Sequence, residues 1–300
     1  MINSSSGPDA TVLGADHPDN PIGVAGRLRY SPLLNVGTRT GELENDFVRF
    51  LVGVKGTAGA WDYDAAYLHS ETSLENVLNG YIRKSVLNEV LTNGDNVYGG
   101  WLRLGANASQ TPQSVLSALS PTIRSSADTG LDLVDFKVTR SLMDLPGGPL
   151  GLALGAEWRR QTATLSPTTY TDTGDIIGLG YSAYSGTQTV SAAYAELVAP
   201  VLESLELNVA GRFDSYKGGE NSFTPKVGVK WKPAEWIALR ATYAEGFRAP
   251  NLAETNGSSV GFATVTDFVR CPDGETPIVA GLQCNPTIAF ANQPNKDLEA

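Results

Sequence analysis

The chain has 300 residues, 41% of them hydrophobic and 18% charged, with a formal net charge of -10, a pI of about 4.7 and a mean hydropathy of -0.13. No apolar run approaches the roughly 18 residues that a membrane-spanning helix requires, and the acidic balance leaves no basic stripe to neutralise phosphates, which argues against a nucleic-acid partner. A membrane crossed by strands stays open, because half-apolar segments of about ten residues barely register in a hydropathy average.

Met1–Pro8 has neither a basic n-region nor an apolar h-region, so no signal peptide is expected there. Residues 1–45 read as a loop or rim segment, within which Val24–Tyr30 could form a short rim or loop strand. From Asp46 the pattern changes. Val48, Phe50, Val52 and Val54 share one face of a strand, with Arg49 and Lys55 on the other. After a brief turn at Thr57–Ala60, Trp61, Tyr63, Ala65 and Tyr67 alternate with Asp62, Asp64, Ala66 and Leu68, which predicts a hairpin. An irregular stretch from 71 to 129 follows, with helical pieces expected near 81–91 and 112–125, the second opened by Pro112.

The second predicted hairpin sets Val134, Phe136 and Val138 against Asp135, Lys137 and Thr139. It turns at 144–149 and returns with Leu150, Leu152, Leu154, Ala156 and Trp158 opposed to Gly151, Ala153, Gly155, Glu157 and Arg159. A loop over 165–186 leads to a third hairpin, turning at 199–203. On its first strand Ala193, Ala195 and Leu197 face outward only if Tyr194 and Glu196 face inward. Its second strand alternates Leu205, Leu207, Val209, Gly211 and Phe213 with Glu206, Asn208, Ala210, Arg212 and Asp214. The fourth sets Phe223, Val227, Val229 and Trp231 against Thr224, Lys226, Gly228 and Lys230, reverses at 232–235, and sets Ile237, Leu239, Ala241 and Tyr243 against Ala238, Arg240, Thr242 and Ala244. Residues 250–300 form a long loop holding Cys271 and Cys284. Two cysteines confined to one Gly/Pro-rich segment read as a local disulfide of an oxidising compartment.

The sum is about eight strands in four hairpins, with tight turns at one end and long loops at the other. That asymmetry belongs to an all-β, antiparallel, up-and-down transmembrane barrel, here a portion of one spanning 46–249. A sandwich has similar strand spacing, but its loops do not sort by end. The expected wet, lumen-facing residues are Arg49, Lys55, Asp62, Asp64, Lys137, Glu157, Arg159, Arg212, Asp214, Lys226, Lys230 and Arg240. Trp61, Trp158, Trp231 and Trp236 fall near strand ends, where an amphipathic ring suits the headgroup zone. Asp62 and Asp64 lie two apart on one face and could hold a cation, but a wet wall accounts for them. With no Gly-x-Ser-x-Gly, no His-Glu-x-x-His and no phosphate-binding glycine loop, the expectation is no enzyme activity, no cofactor and no metal.

Tyr243-Ala244-Glu245-Gly246-Phe247-Arg248-Ala249-Pro250-Asn251-Leu252-Ala253-Glu254 resembles the Tyr-x-x-Gly-Phe-Arg-Ala-Pro-x-Leu-x-Glu signature of TonB-dependent outer-membrane receptors. In that family it marks a late barrel strand entering a long extracellular loop. Asn295, Leu298 and Glu299 resemble the Asn-Pro-x-Leu-x-Pro-Glu motif that ends such a loop, departing from it by lacking both prolines. Phe223–Trp231 also fits the family's preceding strand. The resemblance implies a barrel of about 22 strands around an N-terminal plug, a TonB box engaged from the periplasm, and a location in the outer membrane of a Gram-negative bacterium. Measured against that pattern the chain reads as an internal piece lacking signal peptide, TonB box, plug and final strands. The implied function is energy-coupled uptake of a scarce solute such as an iron chelate, cobalamin or an oligosaccharide. The implied partners are outer-membrane lipid, the solute, and the TonB complex through the N-terminal part. The alternatives are a passive porin or adhesive barrel without TonB coupling, or a soluble β-sandwich binding module.

Overall fold

The computed structural model describes residues 11–219, 221–274, 276, 278, 279, 284, 285 and 287–295. In chain order, β1 (Val12–Leu13), β2 (Gly26–Arg27) and α1 (Leu33–Val36) precede the first long hairpin, β3 (Thr40–Ala58) and β4 (Trp61–Asn79). Then come α2 (Lys84–Thr92), a 3-10 turn at Gly105–Gln110, and α3 (Gln113–Leu119). The further strands are β5 (Ile123–Leu145), β6 (Gly148–Leu165), β7 (Tyr181–Leu202), β8 (Leu205–Tyr216), β9 (Asn221–Ala234) and β10 (Ile237–Ala244). The described chain ends with α4 (Leu252–Asn256), β11 (Ser258–Thr264) and β12 (Thr287–Asn292). Strands β3 to β10 pair in sequence order, each antiparallel to the next, as an up-and-down sheet of four hairpins. β11 and β12 are joined to it through β7.

Residues directly opposed across an antiparallel pair turn their side chains to the same face, so one register fixes the whole sheet. One row reads Val54, Ala65, Phe136, Ala156, Ala193, Phe213, Phe223. The row beside it, on the other face, reads Lys55, Asp64, Lys137, Gly155, Tyr194, Arg212, Thr224. The ladder therefore separates oil from charge across seven strands. On β3 the apolar run Val48–Ala58 is about 34 Å of strand, or about 26 Å of height at a tilt of about 40°, which matches the lipid-facing band of membrane barrels. At its loop end this face becomes polar: His69 Nδ1 and Asp132 Oδ1 lie 2.8 Å apart, and Tyr67 donates to the same oxygen at 2.9 Å.

Several strands outrun the sequence reading at that end. β3 begins at Thr40 instead of Asp46, β4 continues to Asn79, β5 starts at Ile123 instead of Leu131, and β7 starts at Tyr181. Beyond the band both faces carry polar side chains, so the alternation vanishes while the backbone ladder continues. Polar cross-strand pairs hold it there: Ser73 donates to Asp128 at 2.7 Å, and Arg124 pairs with Glu75. The connections correspondingly shrink to 80–122 and 166–180. The third turn falls at 203–204 instead of 199–203, because β7 runs on through Pro200 with a register shift before Leu202.

The buried core lies above the sheet, not within it. Val86, Leu87, Val90 and Leu91 recur at helical spacing on α2 and pack with Leu13, Ile82, Leu102, Val115 and Leu119. Residues 11–36, expected as a loop or rim segment, thus form one side of a cap whose other side is the 80–122 connection; Gly26–Arg27 is a two-residue pairing with β1, not a barrel strand. Asp19 ties the two sides together. It takes two bonds from the Arg103 guanidinium at 2.8 and 2.9 Å, one from the Leu104 N–H at 2.8 Å and one from Asn107 at 2.7 Å. Arg103 beside it holds the Asp19 carboxyl far below the usual carboxylate range. His17, edge-on to Trp101 with ring centroids 4.9 Å apart, lies 3.0 Å from the Leu102 carbonyl oxygen, and burial lowers its pKa below the ordinary imidazole value. The third loop joins through Asp175, which accepts from the Ser85 N–H at 2.7 Å and from Arg83 at 2.8 Å at the open N-terminus of α2.

These two groups set separate pH windows for the cap. A histidine held neutral lets the opened state bind a proton the closed state refuses, so stability is full above the free imidazole value of about 6.5 and falls on acidification below it. The Asp19 contribution persists to lower pH: it is full above the free carboxylate value of about 3.9 and is lost progressively as pH falls from there through the depressed folded value. Amide-exchange protection across 80–122, corrected for the intrinsic slowing of exchange in acid, should fall between pH 7 and 5, and His17→Gln should flatten that dependence. Asp19→Ala should destabilise the cap, because it leaves the Arg103 guanidinium with Gln110 as its remaining partner and removes the acceptor of Leu104 and Asn107, and leave exchange in β5–β8 unchanged.

Candidate functional site

All twelve charged positions singled out in the sequence lie on the same face of the sheet. The shared register of the eight strands places them there. They do not form one cluster. Arg212 is the hub of the tightest group: its Nε donates to both oxygens of Asp214 at 3.0 Å, and its terminal nitrogens reach Glu157 at 3.4 Å. Arg159 approaches Glu157 at 3.9 Å, while its own buried Nε has no hydrogen-bond partner among the described residues. Lys230 pairs with Glu206 at 3.5 Å. Asp62 accepts from Thr57 at 2.7 Å. Among the described residues Arg49, Lys55, Asp64, Lys137, Lys226 and Arg240 make no side-chain hydrogen bond or ion pair, and no group of three or more acidic, histidine or cysteine side chains is arranged to hold a metal. Tyr194 lies across Gly155, where an added Cβ would sit 2.1 Å from its ring, so a glycine there makes room for an aromatic on the charged face.

The segment from Tyr243 to Glu254 leaves this wall and folds back over it. Tyr243 closes the last strand and donates to Glu245 at 3.1 Å, and the Glu245 N–H makes a final bond to the Pro225 carbonyl. From Gly246 onward the chain is out of the ladder. The Phe247 ring rests on Tyr216, centroids 5.8 Å apart. Arg248 meets Glu254 with two bonds, at 3.0 and 3.1 Å. Glu254 also accepts from the Asn251 N–H at 2.8 Å while Asn251 accepts from the Glu254 N–H at 2.9 Å, a reciprocal cap that starts α4. Arg248 and then the Asn251 N–H hold the Glu254 carboxyl below its usual range. After Ala249, the Pro250 carbonyl takes a bond from Gln188 on β7 at 3.2 Å, and Leu252 and Asn256 cross Gly186 so closely that a Cβ there would meet them at 2.9 and 2.5 Å.

The second motif returns to the first, since the Asn295 N–H bonds the Glu254 carbonyl at 3.3 Å. Leu298 and Glu299 lie outside the described residues. Between the motifs, Cys271 and Cys284 are bonded, with Cα atoms 5.4 Å apart. β11 pairs Ser258–Val260 with Tyr181–Ala183 at the top of β7. Of the tryptophans, Trp61, Trp158 and Trp231 lie on the apolar face by register and Trp236 in the β9–β10 turn. Trp158 is at the loop end and the others at the turn end.

A sheet divided this way, with its signature segment folded over the charged wall, has a counterpart among known proteins. A family model described as "TonB dependent receptor-like, beta-barrel" matches residues 4–300. The chain belongs to this family. TonB-dependent receptors are receptors and transporters, not enzymes, and the charged wall is read in that light. The chain is also similar to the heme/hemopexin utilization protein C of Haemophilus influenzae (strain 86-028NP), at 28% identity over 125 residues; the match covers 39% of this chain and 17% of that protein.

Sequence reasoning singled out charges and passed over neutral polar side chains of the same parity. Gln161 and Gln188, directly opposed on β6 and β7, stand on the charged face beneath the signature segment. The alternation that placed Arg159 places Gln161 as well, so the signal was present. The contacts of Asp19 and Arg103, 84 residues apart, carry no local pattern.

Gly186→Val should lift α4 from the wall, because its side chain would occupy the space of Leu252 and Asn256. In the full receptor, spin labels at Thr255 and Lys217 should give one narrow distance distribution, broadened and lengthened by the substitution. An unchanged distribution would show that α4 is not seated on β7.

Proposed function

We propose that this chain supplies barrel wall and outer loops to a TonB-dependent receptor that takes up a scarce solute across the outer membrane of a Gram-negative bacterium. The observation that carries the reading is the combination of an unbroken two-faced ladder with the Gly-Phe-Arg-Ala-Pro segment folded over its charged face. In this reading the apolar face meets lipid and the charged face lines the lumen. A wide ring leaves water inside, and water keeps lumen-facing ions such as Lys55, Lys137 and Lys226 solvated. The solute is captured at the loop end, where the cap and the signature segment are built. It passes inward when the TonB complex, acting through the receptor's N-terminal part, moves the plug. The wall does no covalent chemistry. It offers a polar, hydrogen-bonding surface along which a solute can move.

The named relative suggests haem among the solutes to try. Its iron would need an axial ligand such as imidazole. The chain's two histidines are not offered to the lumen: His17 is buried in the cap, and His69 is on the apolar face with Asp132. Haem thus gains no support from these residues, and iron chelates, cobalamin and oligosaccharides remain equal starting points.

Energy coupling separates this function from a passive porin. Cells whose growth on haemin, ferric citrate, cobalamin or a maltodextrin depends on the full-length receptor should lose that growth when TonB is inactivated. Receptor-dependent growth that persists without TonB would place the protein among passive barrels.

A further inference from the structure

On the charged face, the ion-pair network around Arg212 gives way toward the loop end to a cavity of about 560 Å³, within the size range of small-ligand sites. Ser70, Thr129, Gln161 and Gln188 form its floor, Tyr184 one side, and Asn251 at the start of α4 part of its roof. Among the described residues no Asp, Glu, Lys, Arg or His lines it. The nearest cation in its row, Arg49, is one strand further out, opposite Ser70. The polar groups are also unspent. Among the described residues Ser70, Thr129, Gln161 and Tyr184 make no side-chain hydrogen bond. Gln188 commits only its amide nitrogen, to the Pro250 carbonyl, and Asn251 only its carbonyl oxygen, to the Glu254 N–H.

We propose that this cavity is a binding site for a neutral, polyhydroxylated solute, an oligosaccharide, and that the signature segment is its roof. The inference rests on the uptake reading and names a substrate class for it. An anionic chelate would lose hydration here, and the nearest cations on this face, Arg49 opposite Ser70 and Arg159 two residues from Gln161, stand at the edge of the cavity and not in its lining. A hydroxyl-bearing solute meets what it needs. Each amide offers a donor and an acceptor, each hydroxyl both, and sugar hydroxyls give and take in the same way. The Tyr184 ring, with Leu131 below and Leu252 above, supplies apolar surface for the C–H faces of a sugar ring. Gly186 lets α4 approach closely enough to complete the enclosure.

The test uses the full-length receptor in detergent, titrated calorimetrically with maltohexaose, cellohexaose and chitohexaose, with ferric citrate as the anionic comparator. At least one hexasaccharide should bind, and Gln161→Leu and Gln188→Leu should each weaken it by about tenfold, the loss expected for one hydrogen bond. Gln161→Glu preserves size and should weaken it further by replacing an amide that both donates and accepts with a charge that only accepts. Heat-modifiable mobility on gels controls for folding. Binding of none of the three sugars, or binding indifferent to all three variants, overturns the proposal. If ferric citrate is taken up in a TonB-dependent way that these variants leave untouched, the site assignment fails and the transport reading stands. If a hexasaccharide binds here but its uptake does not need TonB, the site stands and the transport reading fails.

Discussion

Hydrocarbon offers a backbone N–H or C=O no water to bond, so a strand that crosses a membrane must find both of its edges in other strands. The ladder from β3 to β10 meets that demand for every strand between its two ends, pairing residue for residue through three bulges or irregularities. Once the ladder is set, side-chain parity follows without further choice. A slip of one residue between β5 and β6 would turn one of the two strands over, setting Lys137 where Phe136 stands or Glu157 where Ala156 stands, and the cost of moving charge to the apolar face holds the register. The division into an oily face and a charged face is thus a consequence of backbone satisfaction combined with an alternating sequence. Strands β3 and β10 are the outer members of this path, and closure of a ring requires that their outer edges be paired.

The sheet needs no core of its own, and the chain's buried hydrophobic cluster is spent elsewhere, on the cap. Three connections distant in sequence are locked there by a helix with one apolar face, by the Asp19–Arg103 pair and by the Asp175 contacts at α2. The signature segment is fixed by other means, a bidentate ion pair, a reciprocal helix cap and one close approach to a glycine. Both constructions put rigid structure at the loop end, where the proposed uptake route begins. Binding groups held on such a scaffold lose less entropy when they engage a ligand than they would on free loops.

The sheet was legible in the sequence wherever one face is apolar and the other polar. Val48–Val54 with Arg49 and Lys55, or Leu205–Phe213 with Arg212 and Asp214, state both the strand and its orientation. Legibility ended where that contrast ended. Glu42, Glu44 and Asp46 extend β3 where neither face is consistently apolar, and the same holds for Glu71–Asn79 on β4. The two helical pieces of the long connection were readable from local pattern, but their docking on residues 11–36 was not, since nothing near Asp19 points to Arg103. On the charged face, the emphasis on ions hid the neutral band around Gln161 and Gln188. Parity marks where a side chain points, and only the folded chain shows that the signature segment covers it.

Depth-resolved quenching by brominated lipids, applied to single bimane labels along β9 and β10 of the full receptor in bilayers, tests the division of faces most directly. Labels at Val227, Val229, Leu239 and Tyr243 should be strongly quenched, and labels at Lys226, Lys230 and Arg240 should be quenched by aqueous iodide instead. Equal quenching of the two sets by lipid would contradict the two-faced wall, and the uptake route with it.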